Sequence, residues 1–303
     1  MRLFKDASYD FLNNRRRAYV FSALLLLVGL FFLLVHHGLS YGVDFTGGTL
    51  MQVQFEKATD VGKVRSAISG LGGGEAQIQE LGQSNQYVIR LPNFESDTQS
   101  DVGQELRSAL ASAFGQDGYR VDRSEAVGPK VGSELQRKAL EAILIAFALT
   151  LVYLAFRFEW RFGVAAIIAT GHDILITFGF ISMFNVDITL ATVAAVLTIV
   201  GYSLNDTIIV FDRMRENFKG KRKEHYVDTL NRSINETLPR TVLTSGTTLA
   251  TLVALFIFGG EVIRPFALVL ILGIGIGTFS SIFVASPALL EIENWLHRRE
   301  AAA

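Results

Sequence analysis

Residues 198–217 read TIVGYSLNDTIIVFDRMREN, an apolar run that carries a carboxylate, Asp206, before it reaches a basic end at Arg213 and Arg215. Either this segment does not cross a bilayer, or the carboxylate is there for use. The apolar window at 188–211 is long enough to cross a hydrocarbon core of about 30 Å at about 1.5 Å per residue. Asp206 then lies about two turns, or roughly 10 Å, inside the basic end. A charge at that depth costs about 2.5–3.5 kcal/mol or more unless it is paired, hydrated or protonated. Its neighbours Tyr202, Ser203, Asn205 and Thr207 are polar, so one face of the helix is expected to avoid lipid. A buried carboxylate takes and releases a proton as its surroundings change. The alternative is an inter-helix hydrogen bond that serves packing alone.

The rest of the chain fits a membrane setting. Half of its 303 residues are hydrophobic and 19% are charged, with mean hydropathy +0.34, too apolar for an ordinary soluble protein. A net charge of −1 offers no basic field for nucleic acid. The absence of cysteine excludes disulfides, thiolate nucleophiles and Cys-ligated metals. Further apolar windows fall at 18–36, 139–156, 162–184, 241–258 and 264–290. Arg15, Arg16 and Arg17 precede the first window, and HHGLSYG follows it without a small-x-small cleavage pattern, so an uncleaved anchor is expected. Lys and Arg collect in alternate loops: at 15–17, at 157 and 161, at 213–223, and at 298–299. By the positive-inside rule both termini are cytoplasmic.

The expected layout is a polytopic α-helical membrane protein with six transmembrane helices and a small α+β domain inserted after the first. A cytoplasmic N-terminus (1–17) leads into transmembrane helix 1 (18–37) and an extracytoplasmic domain (38–137). A five-helix region (138–290) follows, with a cytoplasmic loop at 212–239, and a cytoplasmic tail (291–303) ends the chain. Within 38–137, TLMQVQFE alternates like a strand, and DVGKVRSAISGL has helical spacing behind an Asp60 cap. AQIQEL and QYVIRLP read as strands joined by the turn GQSN. DTQSDVGQELRSALASAF is a second amphipathic helix, and YRVDRSEAVG a last strand. The order β-α-β-β-α-β predicts a ferredoxin-like sheet. In the cytoplasmic loop, Val227, Leu230, Ile234 and Leu238 share a face, consistent with a helix lying at the inner interface or with a solvated connector.

No phosphate-binding loop, HExxH or metal-ligand spacing occurs, and the glycines at 70–74 follow a helix rather than open one. No catalytic constellation, metal or cofactor is therefore expected. His36 and His37, at a membrane exit, read as an interfacial pair. Arg240 opens the fifth span after Pro239, and Thr244, Thr247, Thr248 and Thr251 continue its face as a hydroxyl stripe that either lines water or bonds backbone carbonyls. Arg240 either approaches Asp206 or snorkels to lipid phosphate. His172 and Asp173 lie about ten residues into the third span, as a proton-relay pair or a polar packing pair. Gly273, Gly275 and Gly277 suggest a close packing face. GVDFTGG at 42–48 supplies Gly42, Asp44, Gly47 and Gly48 as a tight lead into the outer domain.

Together GVDFTGG, the His172–Asp173 pair, GYSLNDTIIVFDRMREN at 201–217 and SINETLPRTVLTSGTTL at 233–249 resemble the SecF family of protein-export membrane proteins, within the wider resistance–nodulation–division group. The resemblance covers nearly the whole chain. It implies a separate SecD partner, and action beside the SecYEG channel and SecA motor on preproteins crossing the inner membrane, using the proton-motive force. It also implies that Asp206 and Arg240 belong to the proton path, and it includes His172 and Asp173 in a family motif. The rivals are half of a proton-driven efflux transporter for small molecules or lipids, an intramembrane aspartyl protease using Asp173 and Asp206, and a passive scaffold. The protease lacks the expected G-x-G-D, since the sequence reads YSLND.

Overall fold

The computed structural model describes residues 7–71, 76–81, 85–91, 99–220 and 225–302. The glycines at 72–74, most of the GQSN turn and the basic residues 221–223 lie outside them. The chain divides into two compact units, one of Tyr41–Ala142 and one of Met1–Ser40 with Ile143–Ala303.

The smaller unit contains a short helix α2 (Val43–Thr46), β1 (Gly48–Phe55), α3 (Val61–Ala67), β2 (Gln77–Glu80), β3 (Gln86–Leu91), α4 (Gln99–Phe114) and β4 (Tyr119–Val127). Its sheet has the order β2-β3-β1-β4, antiparallel throughout, which is the predicted split β-α-β arrangement. Asp60 caps α3 by accepting from the Gly62 N–H at 3.1 Å, as an N-terminal aspartate should. Met51, Val53, Phe55, Tyr87, Ile89 and Leu91 project from the central strands onto Val64, Ile68, Leu106 and Leu110 of the helices. Burial pushes the Tyr87 phenol above its usual range, with smaller contributions from Glu80 and Asp60, and its hydroxyl donates to the Thr59 carbonyl at 2.6 Å.

The larger unit is a helical bundle. It holds α1 (Arg15–Val35), most of α5 (Pro129–Arg157), α6 (Trp160–Met183), α7 (Leu190–Lys219), α8 (Tyr226–Phe258) and α9 (Gly260–Ser280). A π-helical turn (Ser281–Ala285) runs from α9 into α10 (Ser286–Ala302). Among the described residues, six helical segments are long and apolar enough to cross a membrane, the sixth being α9 with its continuation. α1 crosses α6 where Gly29 meets Gly179 backbone to backbone, the close approach that small residues allow in lipid. Of the glycine triplet, Gly273 and Gly277 lie one turn apart against Ile199 and Ser203 of α7, whereas Gly275 faces open space.

The expected loop at 212–239 is mostly helix: α7 runs on to Lys219, and α8 starts at Tyr226 without a break at Pro239. The face of Leu230, Ile234 and Leu238 is not laid on an interface either. It packs into a core with Leu12, Phe162, Phe211, Met214 and Leu289. The amphipathic pattern was satisfied by protein rather than by lipid headgroups.

Candidate functional site

Two carboxylates lie buried between α6, α7, α8 and α9. Asp206 on α7 is 0% exposed. Its Oδ2 accepts from the Ser245 hydroxyl of α8 at 3.2 Å, and its Oδ1 has no hydrogen-bond partner. The Thr278 hydroxyl of α9 lies 2.8 Å from Ser245 Oγ, so three helices meet at this one side chain. A buried carboxylate oxygen without a partner is costly, and a proton is the smallest change that relieves it.

The second carboxylate is better satisfied. Asp173 on α6 accepts at Oδ2 from Ser203 of α7 at 2.5 Å and from Ser280 of α9 at 2.6 Å. Its Oδ1 lies 2.9 Å from His172 Nδ1, while His172 Nε2 is buried without a partner. The two sites share their supports. Ser203 and Asp206 lie on adjacent turns of α7, and Ser280 follows Thr278 by two residues on α9. Gly277 makes this possible, because a Cβ there would come within 2.9 Å of Ser203 Cβ. Ser280 is also the last residue before the π-helical turn, a distortion often found at functional sites.

The remaining predicted residues divide. Ser203 and Thr207 are buried on the Asp206 side of α7, but Asn205 is exposed on the opposite face. Residues one apart on a helix differ by about 100°, so the four polar neighbours cannot share one face. Tyr202 is half-buried and donates to Thr248 Oγ1 at 3.3 Å. Thr244, Thr247, Thr248 and Thr251 donate back to carbonyls one turn earlier in α8. Of the two uses open to the hydroxyl stripe, the structure shows backbone bonding. In this part of α8 the buried hydroxyls are instead Thr241 and Ser245, which continue a buried row from Thr229, Ser233 and Thr237. Arg240 is exposed and makes no direct ion pair with Asp206. His36 is tied down, its Nδ1 lying 2.8 Å from the Ser182 carbonyl.

Gly42, Asp44, Gly47 and Gly48 belong to the other unit. Gly42 caps α2, and Gly47 and Gly48 have φ of 71° and 118°, a backbone that glycine adopts without a Cβ clash. Gly132 of α5 closes on this turn, since a Cβ there would meet Gly47 N and Phe45 O at 3.1 Å. Among the described residues no group of three or more His, Asp or Glu side chains could hold a metal ion.

Comparison with known proteins agrees with this layout. Residues 108–295 match the family "Protein export membrane protein SecD/SecF, C-terminal", and residues 32–59 match the "SecD/SecF GG Motif". Relatives called protein translocase subunit SecF include those of Gemmatimonas aurantiaca, 46% identical over 100% of this chain and 92% of theirs, and of Calditerrivibrio nitroreducens, 44% identical over 95% of each. The crystal structure of SecDF from Thermus thermophilus, described as a translocon-associated membrane protein, aligns with a TM-score of 0.83 at 39% identity. It covers 97% of this chain, which spans 40% of that longer one. The efflux reading finds no support among these relatives. By motifs, bundle and full-length similarity alike, the chain belongs to the SecF family of SecD/SecF protein-export membrane proteins.

Proposed function

We propose that this chain is the SecF subunit of the Sec export machinery, working with SecD in the inner membrane beside the SecYEG channel and the SecA motor. Both termini are cytoplasmic in this reading, as the placement of Lys and Arg requires. A proton from the outer side reaches Asp206 along the seam of α6, α7, α8 and α9. Asp173 and His172 form a second station on that seam, and Arg240 is the cation that pairs with Asp206 in another state of the cycle. Protonation weakens that attraction, the helices shift, and α1 passes the shift to the outer domain, which engages the emerging preprotein. One proton carries about 2.3 kcal/mol per 100 mV, enough to bias a domain motion against back-sliding.

The observation that carries the proposal is the buried Asp206 carboxylate, with one oxygen held by a single hydroxyl and the other unpartnered. The test is preprotein export into inverted vesicles containing SecD, the channel and the motor, with and without an imposed proton gradient. Asp206→Asn is expected to assemble normally and to lose the stimulation by the gradient. Full stimulation in an assembled Asp206→Asn complex would sink the proposal.

A further inference from the structure

The segment just before α1 is clasped by α8. Asn235 treats the backbone of Tyr9 as a strand would: its Oδ1 accepts the Tyr9 N–H at 2.8 Å, and its Nδ2 donates to the Tyr9 carbonyl at 2.8 Å. One turn earlier, Asn231 Oδ1 accepts the Leu12 N–H at 3.0 Å, and Asn231 Nδ2 donates to Asp10 Oδ1 at 2.9 Å. Leu12 is fully buried between these contacts, in the core with Leu230, Ile234 and Leu238. Phe11 meets the ring of Phe283, in the π-helical turn, edge-on at 5.6 Å. Arg15 then donates to the Leu12 carbonyl and pairs with Glu291 at 3.4 Å.

The rest of α1 is attached elsewhere. It packs along α6 and touches the π-helical turn, with no comparable packing on α8. Its outer end is fixed to the loop between α6 and α7, where the Ile188 N–H donates to the Ser40 carbonyl at 2.7 Å and Ser40 Oγ donates to Asn185 at 3.2 Å. α8, in turn, carries Ser245, which holds Asp206. Ten residues, or about 15 Å of helix, separate Asn235 from Ser245. Pro239 between them lacks the N–H for one helical hydrogen bond, and the helix continues through it.

From this we infer that residues 9–12 form a latch, positioned by Asn231 and Asn235, through which movement of α8 at the Asp206 site is transmitted to α1 and so to the outer domain. The inference rests on the proton-coupled reading above. The helix whose Ser245 holds Asp206 and the helix that leads into the outer domain share little contact. Four hydrogen bonds and a buried leucine join them across more than 200 residues of sequence. Cutting the latch leaves the proton site whole but disconnects it.

The test uses Asn235→Ala combined with Asp10→Cys and Asn231→Cys in the assembled complex, since the chain has no cysteine of its own. Without a cross-linker, gradient-stimulated export is expected to be lost while the export driven by ATP alone is unchanged. A short bifunctional thiol reagent joining residues 10 and 231 is expected to restore the stimulation. Full stimulation in the uncross-linked variant overturns the latch, and so does failure of the cross-link to restore it. Asp206→Asn measured in parallel separates the two ideas. Its loss of stimulation beside a fully stimulated latch variant removes the latch alone, whereas persistent stimulation in Asp206→Asn removes the underlying reading.

Discussion

The crossing of α1 and α6 makes a quantitative prediction about how closely the two helices pack. A Cβ on Gly179 would lie 2.5 Å from Gly29 Cα, and one on Gly29 would lie 2.8 Å from Gly179 Cα. Carbon atoms in ordinary contact sit about 3.5–4.0 Å apart, so either alanine forces the helices to part by roughly 1 Å. The atoms in the way are backbone, which cannot swing aside as a side chain can. Overpacking of this kind costs about 1–3 kcal/mol. α1 has little else to compensate with, because its buried residues are only Ala18, Ser22 and Gly29. Gly275→Ala is the control. Nothing lies within 4 Å of its Cβ position, and the change to alanine should stabilise the helix by up to about 1 kcal/mol. Thermal unfolding of the purified chain in detergent is thus predicted to shift in opposite directions for Gly179→Ala and Gly275→Ala. The double change Gly29→Ala/Gly179→Ala should cost less than the sum, since the first has already separated the helices. Equal behaviour of Gly179→Ala and Gly275→Ala would refute the geometric argument.

Other consequences follow from individual contacts. Ser203→Ala and Ser280→Ala each remove a donor from Asp173, and each should lower stability by about 1.5–3 kcal/mol. The pair should cost more than the sum, because Oδ2 is then left buried without a donor; additive melting shifts would contradict this. Ser245→Ala should impair gradient-stimulated export, whereas Thr244→Ala and Thr247→Ala, which lose only bonds to their own helix, should leave it intact. The opposite ranking would place the proton path on the other face of α8. Asp10 is held below the usual carboxylate range chiefly by the Asn13 side chain, against the opposing effect of burial, with smaller help from the Asn13 N–H and Asn231. A depressed carboxylate contributes its stability above its unfolded value and loses it as pH falls through the folded one. Latch closure, read by cysteine protection at residue 12, should therefore be constant between about pH 5 and 8 and weaken only in stronger acid. A change near neutrality would show that another group controls it.

Much of this was legible in the sequence, for identifiable reasons. Asp206 stands out because a carboxylate in an apolar run has no inexpensive explanation. The small α+β unit is legible because strand alternation and helical spacing follow one another in an order with one familiar sheet. The phase of α8 was not legible from its hydroxyls alone, since Thr244 and Ser245 lie on neighbouring faces and both are polar. Carrying the apolar stripe of Leu230, Ile234 and Leu238 forward by helical steps arrives at Thr241 and Ser245, and that continuity was the available signal. Ser280 gave none, being one serine beside another. The contact of Tyr9 with Asn235 spans 226 residues and depends on a backbone that no periodicity encodes.

Asp206 should pass protons while the complex works. Proton influx should be measured directly, with a pH-sensitive dye inside proteoliposomes holding the complete complex under an imposed gradient and an arrested or a moving preprotein. This role of Asp206 requires influx that rises with preprotein movement in wild type and falls to the level of empty liposomes in Asp206→Asn. Influx of wild-type size in an assembled Asp206→Asn complex would contradict it.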